Sequence, residues 1–138
     1  MNFTISSGSM EPTIKVGGQV SVSPLTKATQ IVIGDILVFK APPKVSSFCG
    51  DDAGDLIART IGVPGDHLSS KGNTILVNGK ALKQTWTHTE PLGQAIPTVV
   101  VPKTHYFMIG DNQSDSCDSR SWGSVSRSKV IGIVVSHS

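Results

Sequence analysis

Apolar side chains fall in short runs set apart by turn residues, a pattern that predicts strands far more than helices. Gln19–Ser23 alternates apolar and polar positions. Ile31–Ile33 and Ile36–Lys40 flank Gly34-Asp35, and Leu56–Ile61 is a further strand candidate. Pro97–Pro102, His105–Ile109 and Val130–Val135 read as strands too. Thr74–Val77 and Lys80–Leu82 enclose Asn78-Gly79, a pair that supplies the two positive φ angles of a type I′ turn, so this is the clearest hairpin. The opening segment reads as a strand entering a tight turn, and only Glu11–Val16 and Ser119–Val125 suit short helical turns. Ala41–Asp55 reads as an exposed, mobile loop, and Thr85–Gln94 as a polar loop capping the hairpin. The expected fold class is mainly β, with Greek-key-like strand spacing.

Composition narrows the function. The chain has 138 residues, enough for one domain. Only 16% of residues are charged and the net charge is +2, with no dense basic stripe and 5% aromatics, which argues against nucleic acid as a partner. Cys49 and Cys117 fit neither a disulfide scaffold nor a zinc pattern; two free thiols are expected, with a single disulfide as the alternative. No run approaches the ~18 apolar residues of a membrane span, so the chain taken alone reads as soluble. A core that begins at the first residue suggests a piece excised from a longer protein.

Three segments are chemically unusual. Ser7-Gly8-Ser9-Met10-Glu11-Pro12-Thr13 can present a hydroxyl at a fixed angle beside free backbone N–H groups, as acyl transfer requires, although an ordinary Ser/Gly/Pro turn has the same composition. Ala58–Asp66 is a strand running into a Pro-Gly turn. Gly110–Gly123 is dense in hydrogen-bonding groups, and Asp118 and Arg120 can pair with fork geometry; a polar loop stitched by its own side chains is the plainer alternative.

Taken in order, these segments resemble the sequence boxes of type I signal peptidases, membrane-bound serine proteases that remove signal peptides. Ser7–Thr13 matches the first box, Gly34–Val38 the second, Ala58–Asp66 the third except at its first position, and Gly110–Gly123 the fourth. The resemblance implies a β-rich catalytic core of residues 1–66 and 104–138 with a small hairpin insert at 67–103. It assigns Ser9 as nucleophile, Ser7 as oxyanion-hole donor, Ser116 as the residue orienting the general base, and Asp118 with Arg120 as a supporting ion pair. Phe3, Ile5, Met10, Ile14, Asp55, Leu56 and Ile57 are expected to bind the substrate. An extended signal peptide would add backbone hydrogen bonds between Phe3–Ser7 and Asp55–Ile57, with small pockets selecting Ala-like residues. Neither metal nor cofactor is implied. The expected partners are signal peptides of exported preproteins and the membrane lipid surface. The implied location is the extracytoplasmic face of the cytoplasmic membrane, with an N-terminal membrane helix that this chain lacks.

The family's general base is a neutral lysine, and its position here is Ala58. A methyl group accepts no proton, and Arg59 stays protonated at any working pH. The resemblance therefore implies an inactive chain. A laboratory substitution and a natural pseudoenzyme that binds signal sequences without cutting them would both give this sequence, and the intact remaining positions favour the former. Three other readings are weaker. His67, His88, His105 and His137 invite a hidden triad, but the simplest reading makes them surface or packing residues. Ser126–Lys129 echoes a β-lactam-enzyme motif in a chain too short for that fold. A self-cleaving repressor domain would need a DNA-binding segment and an upstream cleavage site.

Overall fold

The computed structural model describes residues 1–43, 54–86 and 91–138. The strands are β1 (Asn2–Thr4), β2 (Gln19–Pro24), β3 (Ile36–Lys40), β4 (Asp55–Gly62), β5 (His67–Lys71), β6 (Thr74–Val77), β7 (Lys80–Ala81), β8 (Val99–Val100), β9 (His105–Ile109), β10 (Val125–Ser126) and β11 (Val130–His137). Among the described residues one short α-helix, α1, spans Ser119–Trp122. The strands form a seven-stranded sheet in the order β1-β2-β11-β3-β4-β9-β10 and a four-stranded sheet in the order β7-β6-β5-β8, with antiparallel pairing throughout. The mainly β expectation holds.

The long apolar runs are explained by burial on both sheet faces. Successive strand side chains point to opposite sides. Leu37 and Phe39 of β3 join one buried cluster with Ala58, Tyr106, Met108, Trp122 and Val125, whereas Ile36 and Val38 join another with Ile5, Met10, Ile14, Val20 and Val22. In β9, Tyr106 and Met108 face the first cluster. Phe107 and Ile109 face a third, shared with Leu68, Ile75, Leu92, Ile96 and Val101. The small sheet is thus attached to the large one through common apolar packing.

The Asn78-Gly79 hairpin forms as expected, with φ of 54° and 81° at its two turn residues. Four local expectations need correction. Ile31–Ile33 is not a strand: Asp35 Oδ2 accepts from the Val32 amide at 2.9 Å and the Asp35 amide returns to the Val32 carbonyl, closing a turn around Gly34. Of Pro97–Pro102 only Val99 and Val100 form a strand; Val101 instead donates to the Asp66 carbonyl and accepts from the Gly65 amide in the turn before β5, and the two prolines have no N–H to offer. Glu11–Val16 remains a series of turns; its one helix-like bond, from the Ile14 amide to the Met10 carbonyl, is not continued, and the amides of Glu11 and Gly17 go to Gly8 and Ile5 instead. Over Ser119–Val125 the helix stops at Trp122, ahead of Gly123 at φ 92°. β5 escapes sequence reading because His-Leu-Ser-Ser-Lys has a single apolar residue, Leu68, which is 1% exposed. The expected loops at 41–55 and 85–94 fall partly on residues 44–53 and 87–90, outside the described residues.

The shared cluster carries a prediction. Phe107 is 1% exposed and packs on residues of both sheets. Phe107→Ala should lower unfolding free energy by about 3–5 kcal/mol, seen as a lower urea midpoint. A midpoint within error of the parent would show that the two sheets do not depend on this contact.

Candidate active site

The nucleophile-candidate turn is held from below by the Gly110–Asn112 loop. Asn112 donates its backbone N–H to the Ser9 carbonyl at 2.9 Å and its side-chain Nδ2 to the Gly8 carbonyl at 3.0 Å. A Cβ at Gly110 would lie 2.5 Å from the Ser9 carbonyl oxygen and would also collide with the Ser116 hydroxyl, so only glycine lets these segments meet. The Asp111 amide points to Met10 Sδ at 3.4 Å, and Thr13 Oγ1 donates to Asp111 Oδ2 at 2.5 Å. Ser9 is left half-buried at the top of the turn, and its own N–H donates to Ser7 Oγ at 3.1 Å.

A second set of contacts fixes Ser116. Its hydroxyl donates to Asp118 Oδ2 at 2.8 Å. The same carboxylate accepts from the Gly110 amide, from the Arg120 amide at the start of α1, and from Arg120 Nε and Nη2, both at 2.8 Å. Arg120 spends its remaining donors on the Leu92, Gln94 and Gln113 carbonyls. The side chains of Arg120 and Asp118 are 0% and 2% exposed, so the expected pair forms and is fully buried.

Sequence reading missed a second buried pair. Arg59 grips Asp111 through Nε and Nη2 at 3.0 and 2.6 Å, donates Nη1 to the Gly34 carbonyl, and lies 4.8 Å from the Trp86 ring centroid. The available signal was an arginine directly beside the candidate base position, together with an aspartate beside the loop glycine.

These elements border one cleft of about 320 Å³. Ser7, Ser9, Ala58, Ser116 and Asp118 line it, joined by the expected substrate-side residues Phe3, Ile5, Asp55, Leu56 and Ile57. Met10 and Ile14 do not: each is 0% exposed and packs behind the turn with Val20, Val22 and Val38, because the turn's apolar side chains fold into the sheet. Arg120 acts from outside the cleft through Asp118. Trp122, which sequence reading gave no role, forms part of the wall and packs on Phe39 at a ring-centroid distance of 5.9 Å. Along β4, residues Asp55–Ala58 pair with β3, but the ladder to β9 begins only at Arg59, leaving their other edge free of a strand among the described residues.

Ala58 is 4% exposed, with Leu37, Phe39, Met108 and Trp122 in its cluster. His67, His105 and His137 do not line the cleft, and His88 lies outside the described residues. Cys117 is disulfide-bonded, which corrects the expectation of a free thiol; Cys49 lies outside the described residues. No described group of three or more His, Cys, Asp or Glu side chains is arranged to hold a metal ion. No described helix is long and apolar enough to cross a membrane.

Curled antiparallel sheets with a cleft beside β4 make this a mainly β domain. The protein belongs to the signal peptidase family, peptidase S26, whose family model matches residues 1–137. It is 33% identical over 129 residues to a probable signal peptidase I-2 of Synechocystis sp., covering 93% of this chain and 58% of that relative. It is 31% identical over 150 aligned positions to signal peptidase IB of Staphylococcus aureus, covering 96% of this chain and 74% of the relative. A signal peptidase I crystal structure from Enterococcus faecalis superimposes with a TM-score of 0.60 at 25% identity, over 76% of this chain and 97% of that one.

The buried carboxylate provides a test. Asp118→Ala would strand the Arg120 guanidinium and remove the acceptor for Ser116 and Gly110. A loss of about 3–5 kcal/mol is expected from urea titration. An unchanged midpoint would mean that water, not Asp118, satisfies these groups.

Proposed function

We propose that this chain is the peptidase domain of a signal peptidase, built to cleave signal peptides from exported preproteins, and that alanine at position 58 leaves it without its general base. The observation that carries the reading is the shared cleft of Ser9, Ser116 and Ala58, which come from segments far apart in sequence. In this reading the preprotein's extended segment adds to the open edge of Asp55–Ala58, opposite Phe3–Ser7. Ile5, Leu56 and Ile57 bound the small side-chain pockets that exclude larger residues.

The chemistry follows from position. Ser9 Oγ would attack the scissile carbonyl and form an acyl-enzyme. Its N–H and the Ser7 hydroxyl would receive the oxyanion; the contact between them in the free chain at 3.1 Å would give way as both turn to the new charge. A lysine at position 58 would extend its amine from an apolar pocket, where desolvation disfavours the charged form and leaves a lone pair available near neutral pH. Because the Ser116 hydroxyl donates to Asp118, its oxygen can accept from that amine and aim the lone pair at Ser9. The reading further places the domain at the extracytoplasmic membrane face, with signal peptides and lipid as its partners. The alanine itself favours one alternative, a pseudoenzyme that binds signal sequences without cutting them.

Ala58→Lys separates the two. Assayed with a peptide carrying Ala at both small-residue positions, in detergent or lipid, the variant should cut at least ~10²-fold faster than the parent, within the range general-base catalysis supplies. Ser9→Ala in that background should return cleavage to the baseline. A folded variant that binds the peptide and cuts nothing would establish the pseudoenzyme instead.

A further inference from the structure

The cleft at Ala58 has a shape and chemistry of its own. Beyond Cβ, a lysine would add three methylenes and a nitrogen, the heavy-atom skeleton of n-propylamine. The cleft of about 320 Å³ is lined by the apolar side chains of Phe39, Leu56 and Trp122 together with the hydroxyl-bearing Ser9 and Ser116. The Ala58 methyl, 4% exposed, forms part of its lining. Among the described residues, the charged side chains lining the cleft are carboxylates: Asp55 on β4, and Asp115 and Asp118 in the loop before α1, the last neutralised by Arg120. The N-terminal segment, β3 and α1 contribute no charged side chain to the cleft. The rim therefore attracts a cation, while the interior disfavours its charge.

We propose that this cleft is a binding site for a small primary alkylamine, which takes from solution the place of the missing base and makes the chain an amine-dependent peptidase. The proposal rests on the reading of Ser9 and position 58 given above. The neutral amine takes the Ser9 hydroxyl proton as Oγ bonds to the substrate carbonyl carbon and the C=O π pair moves onto oxygen. When the carbonyl re-forms, the C–N bond breaks and the ammonium gives its proton to the departing nitrogen. The amine next takes a proton from water as that water's oxygen adds to the ester carbon, then returns it to Ser9 Oγ as the acid leaves. Nothing but water and peptide is consumed. Because the amine must be neutral to act, cleavage rises with pH toward a plateau, reached below the ~10.4 of a free alkylamine where burial favours the neutral form. A free amine lacks the advantage of tethering, so rescue falls short of what Ala58→Lys achieves.

The test titrates n-propylamine into the unaltered chain with the peptide substrate, beside tert-butylamine of similar basicity but greater width. Expected are a saturating rise in cleavage of at least ~10-fold with n-propylamine, little with tert-butylamine, and none in Ser9→Ala or in Ala58→Leu, which fills the cleft. In parallel, the ¹³C-methyl resonance of Ala58 should shift saturably with n-propylamine in the millimolar range, a readout that needs neither catalysis nor a variant that folds. An unmoved methyl resonance, an unsaturated rise equal for both amines, or rescue that survives Ala58→Leu would each overturn the proposal. If Ala58→Lys cuts while the amine does not, the amine site falls and the peptidase reading stands; if neither cuts, both fall.

Discussion

The Asp118 carboxylate is the constraint on which the site depends. Burying a carboxylate costs several kcal/mol unless its oxygens are fully engaged, and here they accept from Ser116, Gly110 and three donors of Arg120. Arg120 in turn carries that order to the Leu92 and Gln94 carbonyls beside the small sheet. One buried charge pair thus fixes the loop bearing Ser116 against the glycine that touches the Ser9 carbonyl. The Arg59–Asp111 pair repeats the device on the other side, tying β4 to the Gly34 turn and, through Thr13, to the segment after Ser9. With both pairs in place, the segments around the cleft are tied together from two sides.

Ala58 is itself part of the packed interior. Its methyl joins an apolar cluster whose other members are placed by the β3, β4 and β9 ladders. A lysine there would place a desolvated amine in the same apolar surroundings, at a cost in stability typical of sites shaped for chemistry. On this account the fold does not rely on the base; the chemistry does.

Much of this was legible in sequence where local rules were strong. Asn78-Gly79 dictates its turn, Ile36–Lys40 and His105–Ile109 carry enough apolar residues to be strands, and Asp118 and Arg120 are close enough along the chain for their pairing to be foreseen. Legibility failed where tertiary partners decided the outcome. Ile31–Ile33 has strand composition, yet the Asp35 side chain captures an amide and turns the chain. Met10 and Ile14 sit beside Ser9 in sequence but pack into the sheet behind its turn. Arg59 and Asp111 lie far apart along the chain; their neighbours mark each position, but only the fold brings the two together. The segments of the site were readable; which side of the cleft each residue faces was not.

The central claim is that Ser9 is a nucleophile whose only missing companion is a base at position 58. Acid-quenched intact-mass analysis of the Ala58→Lys variant, taken during turnover of a signal-peptide substrate and followed by peptide mapping, tests it most directly. The account predicts a transient mass increase equal to the acyl portion of the substrate, mapped to Ser9 and absent from the unaltered chain. Cleavage without any adduct, or an adduct mapped to another residue, would contradict it.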